Sequence, residues 1–404
     1  MRPIADPPSI PDPADDLRDD AVVDLLARLV AIPSVNPMGR SVALDDPLHR
    51  EARVGDFLAA WLEARSIPFI RQEARPGRPN LIARYDAPAA RRTLMFEVHL
   101  DTVPVEGMTI NPFGGEQRDG RLYGRGACDV KGSLAAMLLA FARLTRERPP
   151  GSASVILAMV SDEESTHAGV LHLVETGITQ GVDLAIVAEP TGFDLVNRHK
   201  GTARWRIRTR GVACHSSTPE LGHNAIYTMA PVLIGLEALG RSLNRPDLDL
   251  GGPTLSVGTI QGGVGVNVVP DECVIEIDRR VMPGESSLEV VEEANRAVLK
   301  TPGVDHARTL FDHPWIVSPP LEDHAALEWL GPLSDSIERT LGRRPAVRGV
   351  AFGTDAGVLN QAGIPCVVLG PGDIAQAHTK EEWIDLNELR QAVDVYERLA
   401  RDLG

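Results

Sequence analysis

His99 and Asp101 stand two residues apart at the end of the short β-like segment 93–98, and strand periodicity puts such a pair on one face. A carboxylate placed there can accept the imidazole N–H and orient the ring, the usual support for a metal-binding His. Further chemistry-bearing residues follow other predicted elements in the same manner. Asp129 lies between Gly124-Arg125-Gly126 and a helix starting near Lys131. Ser161-Asp162-Glu163-Glu164 follows the strand 154–160, Glu189 follows the strand 183–188, and the strand 365–369 leads into a loop reaching His378. Each has an ordinary reading by itself: Asp129 as a helix N-cap, Glu163-Glu164 as a solvated turn, either His as a hydrogen-bonded structural residue. Their common placement is what points to chemistry. Two His and three carboxylates form a mixed N/O donor set suited to zinc or a similar divalent ion. That is more than one catalytic ion needs, and it suits two ions if one carboxylate bridges.

The elements that must position these residues alternate between strand and helix. Strands are expected at 80–85, 93–98, 154–160, 183–188 and 365–369. Helices are expected at 21–31, 51–65, 131–146, 327–341 and 387–399, the third ending before Pro149 and Pro150. This order predicts an α/β fold, a mostly parallel mixed sheet sandwiched by helices. Ligands of an open parallel sheet bind outside the carboxyl ends of its strands, where the residues above fall. The middle of the chain differs. Strand 202–210, helix 223–239, strands 254–260 and 273–281, helix 286–299 and strand 304–310 spell β-α-β-β-α-β, the ferredoxin-like unit. The expected organisation is a catalytic domain of residues 1–200 plus 315–404, with 1–19 a loose Pro- and Asp-rich arm. An α+β domain of residues 201–314 is inserted into it.

Composition narrows the function classes. A net charge of −15 disfavours nucleic acid and anionic membrane as partners. Apolar runs are too short to span a bilayer, and the first residues do not read as a secretion signal. Cys128, Cys214, Cys273 and Cys366 are scattered without a CxxC pair, which fits a reducing cytoplasm and argues against a Cys-based zinc site. Asp129 replaces the third glycine of a dinucleotide fingerprint, and Lys131-Gly132-Ser133 reverses the order a P-loop needs. Ser216 and Ser217 lack the Gly-x-Ser-x-Gly elbow of a serine hydrolase.

Taken in order, the landmarks resemble the M20 metallopeptidases, a family that includes acetylornithine deacetylase, succinyl-diaminopimelate desuccinylase and the bacterial G2-type carboxypeptidase. They are His99-Leu100-Asp101, Leu122 to Gly126 with Asp129, Asp162-Glu163-Glu164, Glu189-Pro190-Thr191, Gly211 to His215, Asn267 to Pro270, Asp278-Arg279-Arg280, Gly353 to Ala356 and His378-Thr379. The resemblance implies that His99 and Glu189 hold one metal, Glu164 and His378 another, and Asp129 bridges them, with Asp101 orienting His99. It further implies Glu163 as general base and His215 as oxyanion donor, with Asn267, Arg280 and Thr354 around the substrate. The inserted domain becomes a lid and dimerisation domain. Two divalent metal ions are expected, zinc by default, with cobalt and manganese open. The implied activity is hydrolysis of an N-acyl amino acid, by a homodimer. A dipeptidase or carboxypeptidase on the same scaffold is the alternative, and a non-catalytic metal-binding protein a remote one.

Overall fold

The computed structural model describes residues 7–322 and 324–404. The chain divides into two compact units, one formed by Met1–Asn197, Asp323–Arg348 and Thr354–Gly404, the other by Arg198–Glu322 and Gly349–Gly353.

In the first unit, the strand Ser154–Val160 is buried along its whole length. Apolar on both faces, such a strand belongs inside a sheet covered on both sides. It pairs in parallel with Thr93–His99, which pairs in parallel with Leu184–Val187, which pairs in parallel with Cys366–Val368. Antiparallel strands flank these four. Arg78–Tyr85 and then Phe69–Arg75 lie on one side, and the start of Leu195–His199 lies on the other. The result is a mixed sheet with a parallel centre. Phe69–Arg75 escapes a reading by apolar periodicity because it is a charged edge strand with half-exposed alternate residues.

Side chains along Thr93–His99 alternate between two environments. Leu94, Phe96 and Val98 join the large apolar core shared with the helices Lys131–Glu147 and Leu386–Asp402. Met95, Glu97 and His99 therefore face the opposite side of the sheet. Helix Lys131–Glu147 is built from Ala, Leu and Met and is buried nearly all round; it stops where Arg148 adopts a left-handed conformation before Pro149 and Pro150. A small three-stranded sheet, Glu116–Arg118, Arg121–Tyr123 and Trp383–Asp385, ties the segment before Asp129 to the segment after His378.

The arm expected at 1–19 is in its described part not loose. Pro13–Leu17 forms a short 3-10 helix capped by Asp12. Asp16, 5% exposed, makes a two-pronged ion pair with Arg65 at 2.5 and 2.8 Å, and Ile10 packs on the core. A buried, paired charge holds what Pro and Asp content alone would leave free. Residues 1–6 of that expectation lie outside the described residues.

The second unit has an antiparallel sheet in the order Thr254–Gly262, Glu272–Val281, Gly201–Arg210, Thr309–Phe311. Helices Ala225–Ser242 and Ser287–Leu299 cover one face through Met229, Val232, Val291 and Val298 against Trp205, Ile207, Ile275 and Ile277. The unit extends past the expected limits of 201 and 314, because Ile316–Ser318 adds to Gly201–Arg210 and Leu321 pairs with His199. Among the described residues, no helix is long and apolar enough to cross a membrane.

Candidate metal centre

The parallel strands of the first unit deliver the candidate residues to one place. His99 Nε2 lies 3.1 Å from Asp129 Oδ1, and His378 Nε2 lies 3.2 Å from Asp129 Oδ2. One carboxylate thus turns a different oxygen toward each imidazole. His378 Nε2 is also 3.3 Å from Glu164 Oε1. Donor atoms of His99, Asp129 and Glu189 lie within 4.8 Å of one another, and so do those of Asp129, Glu164 and His378. Glu163 groups with His99 and Glu164 on one side and with His167 and Asp355 on the other.

The electrostatics describe a site short of positive charge. Burial, then the neighbouring Asp129 charge, pushes the Glu189 and Glu164 carboxyls above the usual range; burial and Glu189 do the same to Glu163. Hydrogen bonds to Asp129 and Glu164 push His378 up to about 10. Burial by itself would raise Asp129, but the two imidazoles outweigh it and hold this carboxyl low. Carboxyls and imidazoles that both cling to protons share one physical cause, negative charge crowded in a dry place. Divalent cations would satisfy it, and the N/O donors match them in type.

Asp101 plays a different part from the one its spacing suggests. Its carboxylate stops 3.8 Å from His99 Nδ1, while its backbone oxygen accepts that nitrogen at 2.9 Å. The carboxylate instead receives the backbone N–H groups of Glu163 and Glu164, each at 3.1 Å. A shared strand face brings the pair together, but two amide donors claim the oxygens.

Glu382 is a residue that sequence reading passed over. Fully buried, its carboxylate accepts the N–H groups of Gly126, Cys128 and Asp129 at 3.1, 2.9 and 3.0 Å, and Arg125 Nη1 at 2.6 Å. Only its position four residues after His378 hinted at a role. It joins the loop carrying Asp129 to the loop carrying His378. Glu382→Gln would turn an NH₂ toward these donors, so we expect metal affinity to fall about 10–100-fold, as for other residues supporting ligands. Equilibrium dialysis would show it, and unchanged affinity would refute the coupling. Lys131, at the start of the helix that follows Asp129, is buried and donates from Nζ to the carbonyls of Leu29 and Ile32, which anchors that helix.

Thr354 is buried in the first unit, its hydroxyl capping Ala356 N at 3.1 Å. His215 and Asn267 lie together in the second unit, where His215 bridges Val268 and Ser216 N reaches Asn267 O. His215 is exposed, with Nδ1 2.6 Å from Ser217 Oγ. Arg280, on the sheet of that unit, bonds Asp278 at 3.0 Å and Thr202 Oγ1 at 3.2 Å.

A His and carboxylate cluster at the carboxyl ends of parallel strands is the construction of a metal-dependent hydrolase. Residues 95–402 match the model of peptidase family M20/M25/M40. The acetylornithine deacetylase of Edwardsiella ictaluri is 32% identical over 373 residues, covering 90% of this chain and 92% of that one. A probable carboxypeptidase of Aspergillus clavatus is 30% identical over 382 residues, 88% of this chain and 85% of its own. The crystal structure of a Bacillus subtilis protein described as a dinuclear metal binding peptidase from the M20 family superposes with a TM-score of 0.66. It is 17% identical and covers 95% of this chain and 97% of that one. The chain belongs to the M20/M25/M40 peptidase family and is a hydrolase.

Proposed function

We propose that this protein is a two-metal amidohydrolase that cleaves the amide bond of an N-acyl amino acid. The observation that carries the two-metal reading is Asp129, whose two oxygens face His99 and His378 separately. His99 and Glu189 would hold one divalent ion, Glu164 and His378 the other, with Asp129 shared. Zinc suits the donors best, and cobalt or manganese fit the same set. Bound divalent ions supply Lewis-acid polarisation of the carbonyl and a nucleophile from water at neutral pH.

Glu163 carries the proton work. Its carboxylate takes a proton from the attacking water and returns it to the leaving nitrogen; with the water's second proton also passed to that nitrogen, a carboxylate and an ammonium result. Burial pushes its carboxyl above the usual carboxylate range, which helps it hold the proton between the two transfers. His215 is assigned as oxyanion donor and Arg280 as a two-pronged grip on the substrate carboxylate, with Asn267 and Thr354 as further substrate contacts. Homodimerisation through the second unit fits the exposed Ile234, Ile260, Val264 and Val266. A cytoplasmic site of action completes the reading.

The relatives include both a deacetylase and a probable carboxypeptidase. Both chemistries break an amide beside a carboxylate, so substrate assays must separate them. Purified protein loaded with zinc, cobalt or manganese is expected to hydrolyse N-acetyl amino acids, to stop on chelation and to recover on metal return. Hydrolysis of dipeptides alone would move the assignment to the peptidase reading. Failure to bind metal at all would end both.

A further inference from the structure

The Glu163-Glu164 turn is held from beneath by a buried charge network. Asn36, 1% exposed, donates from Nδ2 to Asp101 Oδ2 at 2.7 Å and to Asp162 Oδ1 at 2.9 Å. Its own Oδ1 accepts Met38 N at 2.9 Å, which fixes the amide's orientation. Asp101 in turn accepts the N–H groups of Glu163 and Glu164. Asp162, the residue before them, sits at φ 68, a left-handed conformation that side chains rarely adopt unless something holds it. Its carboxylate is gripped by Asn36, Arg78 and Thr166, and Arg78 forms a two-pronged pair with buried Glu51 at 2.9 and 2.7 Å.

We propose that Asn36 is a positioning residue for the Glu163 carboxylate, acting through Asp101 and Asp162; this rests on the reading of Glu163 as the base. Asp101, Asp162 and Glu51 are three buried carboxylates sharing the cation Arg78. A neutral amide with two N–H groups on one nitrogen can bridge two of those carboxylates. Aspartate would add a further negative charge, and alanine would take one donor from each of the two oxygens, leaving them to Glu164 N and Arg78. With the bridge gone, Asp101 can rotate, the turn amides lose their acceptor, and Glu163 is no longer aimed. Misplacing a reacting group by about 1 Å can cost about 10²-fold in rate.

The test uses the full-length, metal-loaded protein and its preferred N-acyl amino acid. Asn36→Ala is expected to lower kcat by about 10²-fold with KM and metal content unchanged. Amide hydrogen exchange in the segment 162–165 should quicken. Introduced into Glu163→Gln, the same change should cost little further, because two residues acting through one group are not additive. A near-normal kcat for Asn36→Ala, or an equal fold-loss in the Glu163→Gln background, overturns the proposal. If Glu163→Gln alone keeps normal turnover, the base reading falls first, and the two failures are told apart. Thr166→Val, which removes one donor to Asp162 at a half-buried site, serves if Asn36→Ala does not fold. It should show the same quickened exchange with a smaller loss of kcat, and the absence of both changes would overturn the idea.

Discussion

Glu163→Gln should bind both metal ions normally and lose turnover by about 10²–10⁴-fold, the span associated with removing a general base. The substitution keeps the size and shape of the side chain and takes away only its ability to accept a proton. Glu163 and Glu164 are neighbours in sequence but are aimed differently. Glu164 Oε1 is 3.3 Å from His378, while Glu163 groups with His99 and Glu164 and, on its other side, with His167 and Asp355. Asp101, accepting both of their backbone N–H groups, makes that divergence a property of the turn. Metal analysis beside steady-state kinetics decides the matter. Normal kcat would remove Glu163 from the mechanism, and loss of an ion would make it a ligand instead.

Asp129→Asn is expected to have a still larger effect, because it removes the charge of the shared carboxylate and the oxygen facing one half of the site. A carboxamide offers one oxygen and turns an NH₂ toward the other imidazole, and it carries no charge to hold two cations together. Both ions should be lost or greatly weakened, and turnover should drop below that of Glu163→Gln to the metal-free background. Stability gives a readout independent of activity. A ligand present at a hundred times its Kd stabilises the folded state by about 2.7 kcal/mol, so the wild type should melt higher with metal than with chelator. The variant should melt alike in both. If Asp129→Asn keeps one ion at full affinity, the two halves are held separately and Asp129 is not a bridge.

Much of the site was legible because its residues follow strands whose apolar runs are easy to see. The run at 154–160 declares a strand covered on both faces, and whatever follows it must emerge at the sheet's carboxyl edge. His99, Asp129, the Glu163-Glu164 pair, Glu189 and His378 were therefore readable as candidates from type and position together, while only the family resemblance separated Glu164 from Glu163. The supporting residues were not. Asn36, Arg78 and Glu382 lie 65, 84 and 253 positions from partners in Asp101, Asp162 and Asp129, and no local pattern marks such pairs.

Asp101 shows where the division falls. By itself the sequence determined that a metal-type donor set would gather at one sheet edge, since strand periodicity and chain order are local properties. It also determined the adjacency of Asp101 to His99. Which donors the Asp101 carboxylate accepts was decided only when the chain folded and brought the amides of Glu163 and Glu164 within 3.1 Å. The same holds for the two-sided placement of Asp129 and for the ion pair between Asp16 and Arg65. Hydrogen bonds and ion pairs go to the nearest competent partner in space, and in a buried site that partner is set by tertiary packing, not by distance along the chain.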